Sequence, residues 1–299
     1  MPKVELPYGS SKIILDIPDK LLKGIIYPNE KRGSANPSNL IENAINSPIG
    51  TEKLDKLVEP QYSVSIVVDD ITRPLPTKII LPILIRKLHN LGIKRERINI
   101  IIATGTHRSV SETEAKSLLG EDISKRYKWI NHDCDSDSLI YVGKPSFGNR
   151  VYLNDIYVNS DFKILIGDVT LHYYAGYGGG PKSIVPGIAG RSTIEFNHSM
   201  MFHPNARSGV SKGNPVFEDI MEGAKLVGAD FVINVVLNSS KEIVSAFAGG
   251  LDEVFYRGIK LVDEMYKVSI EKQSEIVIAS PGGYPFDINF YQAHKGLIN

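Results

Sequence analysis

The feature that most constrains this chain is a recurring unit in which a short apolar, β-branched run ends in Gly, Asp, Thr or Pro and helical periodicity follows. Residues 63–68 read as a buried strand ending at Asp69 and Asp70, and residues 77–90 then supply an amphipathic helix stopped by Gly92. Residues 99–103 are a second such strand, ending in Thr104-Gly105-Thr106-His107, and residues 162–166 a third, ending in Gly167-Asp168. Residues 231–237 and 275–279 read as two more, with a helix over 251–267 between them. Runs that are apolar on both faces belong to parallel strands covered by helices, and ligands of such sheets sit outside the strands' carboxyl ends. The expected fold is therefore α/β, a mainly parallel sheet flanked by helices with its site at those ends. The first 60 residues depart from this pattern: residues 12–17 read as an antiparallel edge strand and residues 26–37 as a loop. Internal repeats, low-complexity tracts and heptads are not evident.

Composition narrows the function classes. The 299 residues carry 34 Lys plus Arg against 34 Asp plus Glu, and 42% are hydrophobic, which suits a globular chain able to bury its own core. Zero net charge removes the usual electrostatic reason for nucleic acid or an anionic membrane as partner. The one cysteine, Cys134, allows no internal disulfide and no multi-thiolate metal site, so a reducing, cytoplasmic setting is expected. The first ten residues hold no apolar signal core, and the most apolar run, 79–85, is interrupted by a proline and too short to span a membrane.

Four constellations carry possible chemistry. The first is the glycine-rich segment 172–183, which contains Gly178, Gly179, Gly180, Pro181 and Lys182. A phosphate loop of the Walker kind needs glycine before its lysine, and Pro181 offers no N–H; Pro186 and Gly187 then interrupt the helix that would complete an anion site. What remains is a backbone able to approach a bulky group, with a lysine at its edge, or else a flexible turn with a solvated lysine. The second is a set of histidines: His107, His172, His198 and His203, with His132 a weaker member. His107 and His172 each follow a strand, where two side chains can face one ligand. His198 has no HxxxH, HExxH or cysteine partner and cannot hold a metal alone. The third is Asp69-Asp70-Ile71-Thr72-Arg73-Pro74: paired acids suit magnesium, but Arg73 suggests a guanidinium for a substrate carboxylate, steadied by an acid, or a structural ion pair. The fourth is Tyr291, Gln292 and Lys295, polar residues on one helical face.

Taken in order, Asp70-x-Thr72-Arg73-Pro74, Ala103-Thr-Gly-Thr-His107-Arg108, Asn131-His132-Asp133, the segment 172–187, Asn197-His198 and Tyr291-Gln292-x-x-Lys295 resemble the nickel-pincer lactate racemase family, from about residue 60 to residue 296. The resemblance implies an isomerase, a racemase or epimerase of a 2-hydroxy acid with lactate as the default. It implies a nickel-pincer nucleotide, a pyridinium-derived mononucleotide joined through a thioamide to Lys182, with Gly178, Gly179, Gly180, Asp70 and Thr106 also at the cofactor and His198 completing the nickel coordination. His107 and His172 are then the acid/base pair, and Arg73, Tyr291, Gln292 and Lys295 contact substrate. The cofactor would be loaded only where the enzymes that synthesise it act as maturation partners. The α-hydrogen of a 2-hydroxy acid is far too weakly acidic for an imidazole of pKa about 6.5 to remove as a proton. Hydride transfer is the easier route, with a histidine on each side for the hydroxyl proton. The same resemblance implies a catalytic α/β domain over 1–280. Residues 281–299 would then begin a linker or helix toward a second α/β domain, expected to be largely missing. Two alternatives stand beside it: a hydrolase or phosphate-dependent transferase, which lacks its G-x-S-x-G or G-x-G-x-x-G signature here, and a ligand-binding domain without turnover.

Overall fold

The computed structural model describes residues 3–284, 287, 289–293 and 296. Strands β1 (Lys3–Tyr8) and β2 (Ser11–Asp16) pair as an antiparallel hairpin separate from the main sheet. The expected edge strand at 12–17 is thus present, but it pairs with its own neighbour. Helices α1 (Pro37–Asn46) and α2 (Leu54–Leu57) lead into β3 (Val64–Asp69), α3 (Thr77–Asn90) and β4 (Ile98–Ala103). Then follow α4 (Glu112–Leu119), α5 (Glu121–Arg126), β5 (Lys128–Asn131), β6 (Ile140–Gly143), β7 (Val151–Leu153), α6 (Asp155–Asn159) and β8 (Phe162–Asp168). The remainder comprises β9 (Thr170–His172), β10 (Gly176–Gly178), α7 (Arg191–Ser199), α8 (Pro215–Lys225), β11 (Phe231–Leu237), β12 (Ile243–Gly249), α9 (Leu251–Tyr266) and α10 (Phe290–Ala293).

Six strands form the central sheet in the order β12-β11-β8-β3-β4-β5. All neighbours are parallel except β12, which runs antiparallel along β11. Strand alternation divides the core into two layers. Ile66, Val68, Ile100, Ile102, Ile164 and Ile166 face α1, α3 and α4. Val67, Ile101, Leu165 and Val232 face the other way, against α7, α8 and the loop around Ile184 and Ile188. The helices bury their inward faces at the expected spacing: Leu81, Leu84 and Leu88 in α3, and Leu251, Val254, Phe255, Val262 and Met265 in α9. Capping is local and sequence-encoded. Ser111 and Glu114 make a reciprocal capping box at α4, and Asn214 caps α8 ahead of Pro215.

One expected strand is not there. Residues 275–279 form no strand, and Ile276 and Val277 are 80% and 76% exposed. A β-branched run becomes a strand only where a neighbour supplies the ladder, and the position beyond β11 is taken by β12. Sheet order also fixes where a ligand can enter. From β3 the chain proceeds outward to β4 and β5, then returns to the other side of β3 as β8 and proceeds to β11. Connections therefore leave β3 and β8 in opposite directions, which opens a crevice at their carboxyl ends.

Candidate active site

Three short segments cross that crevice. The first leaves β3. Asp70, 4% exposed, receives a 3.0 Å bond from the Thr72 N–H and a 2.6 Å bond from the Thr72 hydroxyl, both at Oδ1. Its Oδ2 lies 2.7 Å from Nδ1 of His107, which the second segment carries outward from β4. Burial alone would raise the Asp70 pKa, but the bonds from His107 and Thr72 outweigh it and hold the carboxyl below its ordinary range. An ionised Asp70 accepts the Nδ1 proton of His107, so in the neutral ring Nε2 keeps its lone pair. The expected acid steadying Arg73 takes a different form: the guanidinium reaches Thr72 Oγ1 at 3.4 Å, and the carboxylate behind that hydroxyl serves His107.

The third segment follows β8. The β9–β10 hairpin sets His172 opposite Gly176 in an antiparallel pair. Nδ1 of His172 accepts a 3.2 Å bond from the Ala175 N–H, so its neutral form carries the proton on Nε2. Gly178 pairs with Thr170 at the hairpin's end, and Gly179 and Gly180 turn the chain into a tight 3₁₀ turn, Gly180–Ser183, that bears Lys182 half-buried. Those two glycines are required by close approach to the protein itself. At φ +85° and +53°, a Cβ would stand 2.5 Å from the Asp168 carbonyl and 2.8 Å from the Phe255 ring. The backbone approach foreseen in the sequence is thus spent on seating the lysine turn.

His198 projects from the last turn of α7. Burial and then the nearby Lys182 ammonium lower its pKa to about 4, so the ring is neutral with a lone pair to offer at physiological pH. The Tyr174 ring stands edge-on between the two histidines, 4.6 Å from His172 at 90° and 5.4 Å from His198 at 77°. His198 and Thr106 line one open cleft of about 380 Å³ with Arg191, Ile194, Glu195 and Met201.

Other sequence candidates lie outside this arrangement. His132 is 3% exposed, bonds the Ala189 carbonyl through Nε2 at 2.9 Å, and is kept neutral by burial, so it is structural. His203 accepts from the Asn205 N–H in an exposed turn. Tyr291 and Gln292 fall on α10, but their side chains, like all of Lys295, lie outside the described residues. Tyr174 stands between His172 and His198, and Asp168 and Asn234 lie against the turn that bears Lys182, none of them singled out from sequence. The hairpin register and strand order that bring them there had no separate sequence signal.

The family model for the lactate racemase N-terminal domain matches residues 8–209. A lactate racemase of Thermoanaerobacterium thermosaccharolyticum is 37% identical over 302 residues, covering 99% of this chain and 70% of the relative. One from Lactiplantibacillus plantarum is 34% identical over 302 residues, covering 99% of this chain and 71% of its own length. The solved structure of the T. thermosaccharolyticum lactate racemase apoprotein superposes with a TM-score of 0.89 at 34% identity, over 99% of this chain and 70% of that one. Fold, strand-end site and likeness together define the class: an enzyme, an isomerase of the racemase kind. The chain belongs to the lactate racemase family.

Proposed function

We propose that this protein racemises a 2-hydroxy acid, lactate by default, using a nickel-pincer nucleotide joined to Lys182, with His107 and His172 handling the hydroxyl proton. The observation that carries this reading is the convergence at one crevice of a carboxylate-backed imidazole, His107 on Asp70 at 2.7 Å, with a half-buried lysine turn and a neutral histidine beside it. The donor set fits the group. Lys182 offers a primary amine on a turn whose backbone is fixed, and His198 offers an unprotonated ring nitrogen where a protonated one could not bind metal. Asp70, Gly178 to Gly180 and Thr106, the last in the cleft beside His198, are the other residues assigned to the group by the resemblance. When bound, the group supplies the acceptor and donor for the α-hydrogen and its electron pair.

The chain's own residues then do three things. Arg73, with Tyr291, Gln292 and Lys295, holds the substrate carboxylate so that the acid stays bound while its reacting carbon turns. His107 takes the hydroxyl proton at Nε2, its Nδ1 proton remaining on Asp70, which stabilises the imidazolium as it forms. The planar 2-keto acid, once rotated, presents its oxygen to the other side, where His172, entering the step as an imidazolium, returns a proton through Nε2 and is left neutral. Net charge and atoms balance: one proton and one hydrogen with its electron pair leave one face and are replaced on the other.

We assign this chemistry to residues 1–280, with residues 281–299 as a linker. The lone cysteine supports a cytoplasmic setting, and no helix among the described residues is long and apolar enough to cross a membrane. The test is co-production with the enzymes that synthesise the cofactor, followed by peptide mass spectrometry, nickel analysis and chiral assay of lactate. An adduct on Lys182 with near-stoichiometric nickel and interconversion of the enantiomers is expected. A folded chain without adduct, under conditions that load a relative, overturns the assignment.

A further inference from the structure

The placement of His198 depends on a buried polar network that the proposed chemistry leaves unused. A histidine that binds metal ordinarily has its second ring nitrogen hydrogen-bonded, which fixes the aim of the first. The His198 ring has no such bond among the described residues; burial, the Lys182 charge and the Tyr174 ring are what act on it. Its aim must therefore come from the backbone of α7 and from Tyr174, and both are tied to α8.

The first tie is Asn197, the residue before His198 and 0% exposed. Its Nδ2 donates a 2.8 Å bond to Oδ2 of Asp219 and a 3.1 Å bond to the Val216 carbonyl, both on α8. The same carboxylate oxygen accepts a 2.8 Å bond from Nδ2 of Asn149, which also reaches the Thr193 carbonyl of α7 at 3.2 Å. One buried oxygen thus gathers α7, α8 and the loop before β7. The second tie is Asn214, the cap of α8, whose Nδ2 donates to the Tyr174 carbonyl at 2.9 Å.

A buried carboxyl is a costly way to hold two helices together. Asp219 is 0% exposed, and its neighbours on the inward face of α8, Val216, Ile220 and Ala224, belong to an apolar layer of the core. Burial raises its pKa, and the bonds from Asn197 and Asn149 offset only part of that. Oδ1 of Asp219, of Asn197 and of Asn149 receive no donor from the described residues. An apolar side chain of similar volume would avoid these costs. What a leucine could not do is fix the rotation of α7. Adjacent helical residues project about 100° apart, so locking Asn197 inward sets the direction in which His198 leaves the helix. At roughly 6 Å from the helix axis, a rotation of about 10° carries a ring nitrogen about 1 Å, whereas metal–ligand distances hold within about 0.2 Å.

We propose that Asp219 is a positioning residue for His198: through Asn197 it fixes the rotation of α7 and so aims the imidazole at the metal. This rests on the reading of His198 as a nickel ligand given above.

The experiment compares four variants with the parent chain. Asp219→Leu keeps the volume and removes both bonds, and Asn197→Ala removes the link to α7 alone. Asp219→Asn keeps a side-chain oxygen that can accept both bonds. Leu88→Ala, a core truncation in α3 on the other face of the sheet, controls for stability lost away from the site. In chains co-produced with the cofactor-synthesis enzymes, mass spectrometry reports the Lys182 adduct and metal analysis the rate of nickel loss to a chelator. Asp219→Leu and Asn197→Ala should retain the adduct and lose nickel about tenfold faster or more, while Asp219→Asn and Leu88→Ala stay within about twofold of the parent. In chains made without cofactor, NMR with labelled histidine and tyrosine should show a cross-peak between the His198 and Tyr174 rings in the parent, Asp219→Asn and Leu88→Ala, and its loss in the other two. A folded Asp219→Leu or Asn197→Ala with parental nickel loss and cross-peak overturns the proposal, as does equal acceleration in Leu88→Ala. Where Asp219→Leu does not fold, Asn197→Ala carries the test. A parent that holds no nickel sinks the reading of His198 as a ligand, and the cross-peak then decides whether Asp219 aims the ring.

Discussion

Replacing Asp70 by asparagine tests the proposed acid/base chemistry most directly, because the surrounding bonds dictate how the new amide must sit. Oδ1 of Asp70 already accepts from the Thr72 N–H and hydroxyl, so the amide oxygen takes that position and the NH₂ group faces Nδ1 of His107. A donor there forces Nδ1 to accept, and the neutral ring moves its proton to Nε2, the atom that should take the substrate's hydroxyl proton. Losing a charge-assisted bond costs about 1.5–3 kcal/mol, or roughly 10- to 150-fold. Inverting the tautomer adds to that, and an Asp→Asn change at an analogous carboxylate–imidazole pair costs ~10⁴ in kcat. We expect Asp70→Asn to lower kcat/KM by about 10²- to 10⁴-fold. The enantiomers have equal free energy, so the loss must be the same in both directions, which a chiral assay of lactate checks internally. Nitrogen-15 NMR of labelled histidine should show the His107 proton on Nδ1 in the parent and on Nε2 in the variant. An inverted tautomer with less than fivefold loss of activity would refute the assignment of His107 as the base.

Three further outcomes follow from the same geometry. His198→Ala in co-produced protein should retain the Lys182 adduct but lose bound nickel by at least about tenfold, whereas Lys182→Ala should lose both, as mass spectrometry and metal analysis report. Arg73→Gln should raise KM for lactate by roughly 10- to 100-fold with a smaller change in kcat, since a carboxylate anchor acts on substrate and transition state alike. Asp69, with its folded pKa raised to about 7 from an ordinary 3.8, contributes stability that is present below the unfolded value and lost as pH rises toward 7. Asp168→Asn removes the neighbouring charge and should therefore make the unloaded chain about 1–2 kcal/mol more stable at pH 8, relative to its gain at pH 5. Urea melts at the two pH values measure this, and a variant destabilised equally at both contradicts the like-charge account.

The fold was most legible where strands are buried on both faces. The expected 231–237 coincides with β11, and β3, β4 and β8 differ from expectation only at their ends. A continuous β-branched run has few other ways to be buried. Helix α3 was equally clear because its apolar spacing ends at Gly92, which adopts φ +88°. Short or half-polar strands were not legible: β5, β6 and β7 have three or four residues each, and β12 is broken by a bulge and ends in glycine. Residues 275–279 carried the right composition but lacked a neighbour, and composition does not encode a neighbour.

At the site, the residues that declare themselves in sequence are those fixed by a strand end, and those that do not are fixed by register. Asp69 and Asp70 read as one pair of acids, yet adjacent residues of a strand point to opposite faces. Asp70 accordingly turns to His107 while Asp69 turns to Ser183. The carboxylate charge that acts most on Asp69 is that of Asp168, 99 positions away and brought near by the pairing of β3 with β8, with Asp70 adding less. The two histidines diverge for a similar reason. Each follows a strand, but His107 meets a carboxylate at Nδ1 and His172 a backbone N–H, so their neutral forms carry protons on opposite nitrogens. A second proton on His172 would set N–H against N–H at Ala175, and the 172–175 turn must open before that ring can become an acid. On the proposed role of His172, interconversion of enantiomers therefore asks for movement in the β9–β10 hairpin, the same hairpin that leads into the lysine turn. The proposed proton transfer at His172 and the seating of Lys182 thus share one short piece of backbone.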